Sequence, residues 1–244
     1  MRLLGYAVVD GGFDHLAVAQ FAQAFDSAHA KVMAEFGAEA LRSVDEHNTV
    51  RAILGYEPVF TRVANNPGIL ALCRCLITDY VILNQQNGVV NPPVGNAYGQ
   101  AAWHRDLPYQ HFVTSRPLAI SALYCVDDFT IDNGTTLVLP GTHRQEVFPS
   151  DGFCQANAVP VSAPAGSYIV FDSMLYHSGG ANRTSRSRRG VNNVYSIPII
   201  RQQIELPSAL GEQFTDDADL RRLLGYGVRT IRSAAEFISG RSRS

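Results

Sequence analysis

The chain has 244 residues, of which 46% are hydrophobic, and its formal net charge at pH 7 is −2. This length and composition predict one globular domain that can bury a sizeable core. A net charge so close to zero disfavours nucleic acid or an anionic membrane as a partner. No apolar run approaches the length of a transmembrane helix, so no membrane partner is expected.

The first third of the chain is predicted to be mainly helical. Apolar residues such as Leu16, Phe21 and Phe25 recur at helical spacing, and Asn65-Asn-Pro-Gly suits a helix start because proline is tolerated in the first turn. The predicted elements here are a strand over 3–9, a helix over about 13–36, a helix over about 69–77, a strand over 79–84 and a loop over 87–100.

Strands dominate the sequence from residue 117 onward. The predicted strands are 117–126, 135–139, 158–163, 167–172 and 190–200, with turn signals at Asn133-Gly134, Pro140-Gly141 and Pro164-Ala-Gly166. This order of helices before strands predicts a mainly β protein with flanking helices, a double-stranded β-helix of the jelly-roll or cupin-like kind. We expect a single domain over 1–244, with a helical part over about 13–78, a β core over about 79–200, and C-terminal helices and a tail over 201–244.

The four cysteines predict reduced thiols in a cytoplasmic protein. Cys73 and Cys75 are separated by one residue, which is neither a zinc spacing nor a redox CxxC motif, and Cys125 and Cys154 stand alone. No signal peptide is expected at the N-terminus, because its apolar run is short and lacks a cleavage pattern.

The segment His104-Arg-Asp106, with His177 further along, carries the most specific chemistry. On a strand, residues i and i+2 face the same side, so His104 and Asp106 can reach one metal while Arg105 points away. Two histidines and a carboxylate are the ligand set of non-haem Fe(II) oxygenases, which leaves positions open for a co-substrate and O2. Arg188, eleven residues after His177, offers a planar fork suited to the distal carboxylate of 2-oxoglutarate.

Three further segments accompany the histidines, Asp106 and Arg188: Asn133-Gly134, Val138-Leu-Pro-Gly-Thr-His143 and the apolar run before His177. Together these motifs resemble the phytanoyl-CoA dioxygenase family of Fe(II)/2-oxoglutarate oxygenases. The resemblance covers most of the chain. It implies that His104, Asp106 and His177 bind Fe(II), and that Arg188 and Thr136 bind 2-oxoglutarate. Several relatives carry a glutamine three residues before the first histidine. Here that position is Ala101, and Gln100, one residue earlier, is the candidate.

By this resemblance we expect an oxygenase that hydroxylates a small molecule and releases succinate and CO2. Family members that halogenate replace the carboxylate ligand with a small residue, so Asp106 favours hydroxylation. The segments 87–100 and 107–116 are expected to cover the metal, and their polar residues favour a small polar metabolite. Trp103, Tyr109 and His111 flank the metal motif and are candidates for a substrate wall. The oligomeric state stays open.

Two other interpretations remain at this point. The chain could be a cupin-type metalloenzyme that does not use 2-oxoglutarate, although the placement of Arg188 argues against it. It could also be a non-catalytic β-sandwich binding protein, although the full set His104, Asp106, His177 and Arg188 is present.

Overall fold

The structure, a computed structural model, describes residues 1–96, 98–107, 111–228 and 230–241. Two antiparallel sheets form its centre, and helices cover the outer face of the larger one. In this described part, no helix is both long and apolar enough to cross a membrane.

The nine strands are β1 (Tyr6–Asp10), β2 (Thr49–Val50), β3 (Ile82–Asn91), β4 (Ala119–Cys125), β5 (Thr136–Val138), β6 (Val159–Val161), β7 (Ser167–Asp172), β8 (His177–Gly179) and β9 (Arg188–Ser196), counted over the described residues. The α-helices of the same part are α1 (His15–Phe36), α2 (Ala38–Ser43), α3 (Ile53–Tyr56), α4 (Thr61–Ala64), α5 (Pro67–Leu76), α6 (Asp151–Asn157), α7 (Leu206–Leu210), α8 (Ala218–Leu224) and α9 (Ala234–Arg241).

The larger sheet separates two apolar layers. Its strand order is β1-β7-β4-β9-β3-β2, and the smaller sheet has the order β6-β5-β8. On β4, Ile120 and Tyr124 belong to the core shared with the helices. The alternate residues Leu123 and Cys125 pack with Val138 and other side chains of the smaller sheet. Because successive side chains of β4 point to opposite faces, this one strand contributes to both apolar layers.

Helix α1 covers the outer face of the larger sheet because its apolar residues recur at helical spacing. Phe21, Phe25, Ala28 and Val32 are all buried along one stripe. The Asp14 side chain begins the helix by accepting a hydrogen bond from the backbone N–H of Ala17 at 2.7 Å. Strand β1 lies before α1 and pairs with β7, so the N-terminal part is built into the β core.

The prediction of a strand over 79–84 followed by a loop over 87–100 was wrong in its boundary. Strand β3 continues to Asn91 and pairs along its length with β9. Its run of Asn and Gln obscured the strand pattern, because buried amides can replace apolar residues when they are hydrogen-bonded. Gln86, for example, is fully buried and donates to the carbonyl of Phe60 and to Oδ1 of Asn193.

The remaining differences concern element ends and short elements. The strand expected over 190–200 is β9, which begins at Arg188 and ends at Ser196. The strand expected over 3–9 begins at Tyr6, and the helix expected over about 69–77 is α5, capped by Asn66. Helix α6 and the three-residue strand β8 were not predicted, because neither is long enough to display a clear period.

Replacement of Gly88 should destabilise the protein, because this residue of β3 lies directly beneath the helices. A Cβ atom there would come within 2.8 Å of Phe25 and 3.0 Å of Ile53. We expect Gly88→Ala to lower the free energy of unfolding by about 1–3 kcal/mol, measured by urea denaturation. Gly152→Ala is the control, because its Cβ would meet no atom within 4 Å. Equal stability of the two variants would contradict this account.

Candidate metal centre and adjoining pocket

Two histidines are held side by side by the backbone. His104 and His177 form an antiparallel bridge at the edge of β8, in which each backbone N–H donates to the other residue's carbonyl, at 2.9 and 3.0 Å. Residues paired in this way project their side chains to the same face. The two imidazole rings are accordingly 4.4 Å apart between centroids.

Hydrogen bonds from each histidine ring to the backbone determine which ring nitrogen is free to bind a metal. Nδ1 of His104 lies 2.8 Å from the carbonyl oxygen of Ala102, and Nδ1 of His177 lies 2.9 Å from that of Leu175. A carbonyl oxygen only accepts, so each Nδ1 carries the proton and each Nε2 keeps its lone pair. Burial lowers the pKa of His177 against the opposing pull of Asp106, which favours the neutral imidazole that a metal requires.

Asp106 completes a set of three ligand atoms. Its Oδ1 lies 3.7 Å from Nε2 of His104 and 3.6 Å from Nε2 of His177. Burial opposes ionisation of this carboxyl, but the two histidines and hydrogen bonds from Ser121 and Asn192 hold its pKa below the usual range. The three ligand atoms lie within 4.8 Å of one another. This set of two imidazole nitrogens and one carboxylate oxygen fits Fe(II), which proteins bind through nitrogen and oxygen ligands.

A buried cation lies at the other end of the same pocket. The Arg188 side chain is 1% exposed, stacks over the Phe129 ring at 3.9 Å and donates to the carbonyl of Gly134 at 3.0 Å. Its Nε has no hydrogen-bond partner among the described residues, and none of their carboxylates forms an ion pair with it. A buried charge normally has a partner, so this arrangement suits a carboxylate ligand.

Only one residue of the Arg188-Arg189 pair faces the pocket. Arg189 points to the opposite face of β9 and binds Asp127 at 2.6 Å and Asp26 at 2.7 Å. Alternation along the strand separates the two side chains. Arg188 and Asn192, which contacts Asp106, lie four residues apart on the same face and so roughly 13 Å apart along the strand.

The pocket between these ends contains the other predicted co-substrate residues. Its lining consists of Val89, Tyr98, Gln100, His104, Asp106, Leu123, Thr136, Phe171, His177, Ser178, Gly179, Arg188 and Asn192. Thr136 lies on β5 opposite Gly179, and Gln100 lies in a short 3-10 turn, Gly99–Ala101. The structure thus places both Thr136 and Gln100 at the pocket.

The Tyr98 ring covers Gly179 of β8. A Cβ atom on Gly179 would overlap this ring, so glycine is required for the tyrosine to lie there. Of the segment 87–100, expected to cover the metal, residues 87–91 belong instead to β3, while Tyr98 and Gln100 line the pocket. In the segment 107–116, residues 108–110 lie outside the described part.

Two of the three residues expected to form a substrate wall, Trp103 and His111, do not line the pocket. Trp103 directly precedes His104 and stacks on Tyr176 at 5.7 Å between ring centroids. His111 packs against Phe148 at 4.6 Å. Neither is among the described residues that line the pocket. For Trp103 the reason is that neighbours in an extended chain point to opposite sides. The third candidate, Tyr109, lies outside the described residues.

Ser121 and Asn192 are residues of the site that the sequence interpretation missed. Both contact Asp106, and both come from strands of the larger sheet. The available signal was a polar residue inside an otherwise apolar strand, such as Ser121 in Ala119–Cys125. Such a residue needs a buried partner, but the sequence does not identify that partner.

Comparisons with known proteins point to one family. The family model described as phytanoyl-CoA dioxygenase matches residues 1–190. An uncharacterized protein of Mycobacterium tuberculosis is 30% identical over 243 residues, which cover 97% of this chain and 88% of that protein. The iron/alpha-ketoglutarate-dependent dioxygenase ausU of Aspergillus calidoustus is 28% identical over 177 residues, which cover 70% of this chain and 58% of that protein.

Solved structures show the same fold. EctD from S. alaskensis, solved with 2-oxoglutarate and 5-hydroxyectoine, has a TM-score of 0.69 at 24% identity, covering 82% of this chain and 74% of that one. The apo form of ThoJ, described as a non-heme monooxygenase, has a TM-score of 0.65 at 22% identity, covering 81% and 75%. At these identities the likeness is one of fold.

Loss of either histidine should abolish metal binding at this centre. The wild-type chain, loaded anaerobically with Fe(II) and desalted, is expected to retain about one iron per chain, as a single three-ligand set implies. His104→Ala and His177→Ala should retain none, because two ligands do not hold the ion through desalting. His111→Ala is the control, since its ring packs on Phe148 away from the three ligand atoms. Full iron content in a His104→Ala/His177→Ala double variant would rule out this assignment.

Proposed function

Because this chain belongs to the phytanoyl-CoA dioxygenase family, we propose that it hydroxylates a small polar metabolite, with release of succinate and CO2. It is a 2-oxoglutarate-dependent non-haem iron dioxygenase, which uses Fe(II), 2-oxoglutarate and O2. One observation carries the proposal. The ligand atoms of His104, Asp106 and His177 open onto the same pocket as buried Arg188, which forms no ion pair with a carboxylate of the described residues.

In the proposed site, His104 and His177 hold Fe(II) through Nε2 and Asp106 holds it through Oδ1. Arg188 binds the distal carboxylate of 2-oxoglutarate, with the Thr136 hydroxyl beside it. When bound, the metal and co-substrate supply the oxidising chemistry that inserts one atom of O2 into a C–H bond.

The chain itself supplies position and exclusion of water. Arg188 is held by Gly134 and by the Phe129 ring, so its guanidinium is oriented before a ligand arrives. Leu123 and Phe171 form apolar walls of the pocket, and Tyr98 covers the side of β8. A low-dielectric surrounding strengthens the pairing between the arginine and a carboxylate.

We further propose that the two sheets form a double-stranded β-helix and that residues 1–244 make up one domain. The apolar layer between β4, β7, β5 and β6 supports this arrangement, as does the backbone bridge that brings His104 to the edge of β8.

Two features support a polar substrate and a hydroxylated product. Gln100 and Asn192 bring amide groups to the pocket beside the candidate metal centre. Asp106 occupies the ligand position that a halogenating relative would leave open for chloride. Family membership does not support the two earlier alternatives, a cupin-type enzyme without 2-oxoglutarate and a non-catalytic binding protein.

A second substrate class is favoured by one further cavity. It has a volume of about 860 Å³ and is lined by Leu107, Phe112, Leu118, Ile199 and Ile200, with Arg201, Gln202 and Gln203. Leu107 directly follows Asp106 in the chain, and this largely apolar cavity shares no lining residue with the pocket that contains the three ligand atoms. A substrate with a hydrocarbon ring or chain would be accommodated there.

Arg188→Ala should weaken 2-oxoglutarate binding by about 2–5 kcal/mol, the cost of removing one partner of a buried charge pair. Anaerobic titration of the Fe(II)-loaded protein with 2-oxoglutarate measures this loss. Arg189→Ala is the matched control, because that arginine binds Asp127 and Asp26 outside the pocket. A larger loss for Arg189→Ala than for Arg188→Ala would show that the wrong arginine has been assigned.

The proposed reaction is tested by turnover with a panel of substrates. The enzyme is incubated with Fe(II), ascorbate, 2-oxoglutarate and candidates that include polar metabolites, hydrocarbon-ring compounds and long-chain acyl-CoA esters. We expect succinate release coupled to a gain of about 16 daltons, the mass of one oxygen atom, in a polar metabolite. Turnover confined to the apolar candidates would favour the second substrate class, and a chlorinated product would contradict the role given to Asp106.

A further inference from the structure

The two oxygens of Asp106 have different surroundings. Oδ2 accepts a hydrogen bond from the Ser121 hydroxyl at 2.5 Å and another from Nδ2 of Asn192 at 3.1 Å. Oδ1 instead faces Nε2 of both histidines, at 3.6 and 3.7 Å. Both protein donors therefore lie on one oxygen of the carboxylate, and the other oxygen is left for the metal.

Chemistry fixes the direction of both hydrogen bonds. An ionised carboxylate only accepts, so Asn192 must turn its NH2 group toward Asp106, and Ser121 must give Asp106 its single proton. The Ser121 oxygen also lies 2.8 Å from the Ser173 hydroxyl, which can donate to it. Ser173, Ser121 and Asp106 then form a chain of hydrogen bonds that all point the same way.

The two donors are placed by the sheet rather than by a flexible loop. Ser121 lies on β4 and Asn192 on the adjacent strand β9, where Asn192 pairs with Leu123. Ser121 and Leu123 face the same side of β4, so Ser121 and Asn192 are diagonal neighbours on one face. The Ser121 side chain is fully buried, which leaves it little freedom to move.

We propose that Ser121 and Asn192 are positioning residues that hold Asp106 so that only its Oδ1 is presented to the metal. The inference rests on the proposed function, in which Asp106 is an iron ligand. Two donors on Oδ2 stop the carboxylate from rotating about its Cβ–Cγ bond and keep Oδ2 from becoming a second ligand atom. The open metal positions then remain available for 2-oxoglutarate and O2. Partners of this kind commonly decide metal affinity.

The test is the affinity of the metal-free protein for Co(II), measured by titration and by the ligand-field absorption of the bound ion. Ser121→Ala and Asn192→Leu remove one donor each at nearly constant shape. Each should weaken Co(II) binding by about 10-fold and the double variant by up to about 100-fold, the range typical of such partners. Ser121→Thr keeps the hydroxyl and should retain wild-type affinity, which a purely structural role of Ser121 would not predict.

Two buried neighbours provide matched controls. Ser196→Ala removes a fully buried hydroxyl of β9 that accepts a hydrogen bond from Asn84. Asn193→Leu removes a fully buried amide on the opposite face of β9, where it donates to Ala122 and Val191. Both can lower the thermal unfolding temperature, but Co(II) affinity should stay close to that of the wild type.

The outcomes separate this inference from the proposed function. If the wild type binds Co(II) and His177→Ala does not, while Ser121→Ala and Asn192→Leu bind as tightly as the wild type, the positioning role is wrong and the metal site stands. An equal loss of affinity in the two control variants would also overturn it. If the wild type itself binds no Co(II), the metal site and the positioning role both fail.

Discussion

The antiparallel pairing of His104 with His177 is the interaction on which the rest of the candidate site depends. Two backbone hydrogen bonds place the histidines side by side, and the carbonyls of Ala102 and Leu175 then fix both ring tautomers. Asp106 lies two residues after His104 on the same face, so the pairing of His104 with His177 also determines where Asp106 lies. The three ligand atoms are therefore arranged by main-chain geometry, and little reorganisation remains to be done when a metal binds.

The pocket keeps opposite charges apart at a cost to stability. Asp106 at one end is supported by two histidines and two hydrogen-bond donors, whereas the contacts of Arg188 within the described part of the chain are a carbonyl and an aromatic ring. A buried arginine without an anionic partner is unfavourable in the unliganded protein. Its neighbour Arg189 has two carboxylates. The contrast between these adjacent residues of one strand supports the proposal that Arg188 binds a ligand carboxylate.

Local periodicity predicted the fold where side chains follow a simple pattern and failed where buried amides replaced apolar residues. Helix α1 was visible because Phe21, Phe25 and their neighbours recur every three to four residues. Strand β3 was cut short because Gln86 and Asn87 look like loop residues in isolation. Their partners, Asn193 of β9 for Gln86 and Gln203 for Asn87, are more than 100 residues away, so no local pattern could reveal them.

Which side chains share a face could be predicted from the residue order alone. Alternation put His104 with Asp106, separated both from Arg105, and allowed only one of Arg188 and Arg189 to face inward. What lies opposite these side chains depends on how the whole chain folds. In the folded chain, Ser121 and Asn192 contact Asp106, and Tyr98 lies against Gly179. Trp103 and His111 instead pack away from the pocket. The physical reason is that a strand's period is a local property, whereas its neighbours are chosen by long-range pairing and burial across the whole chain.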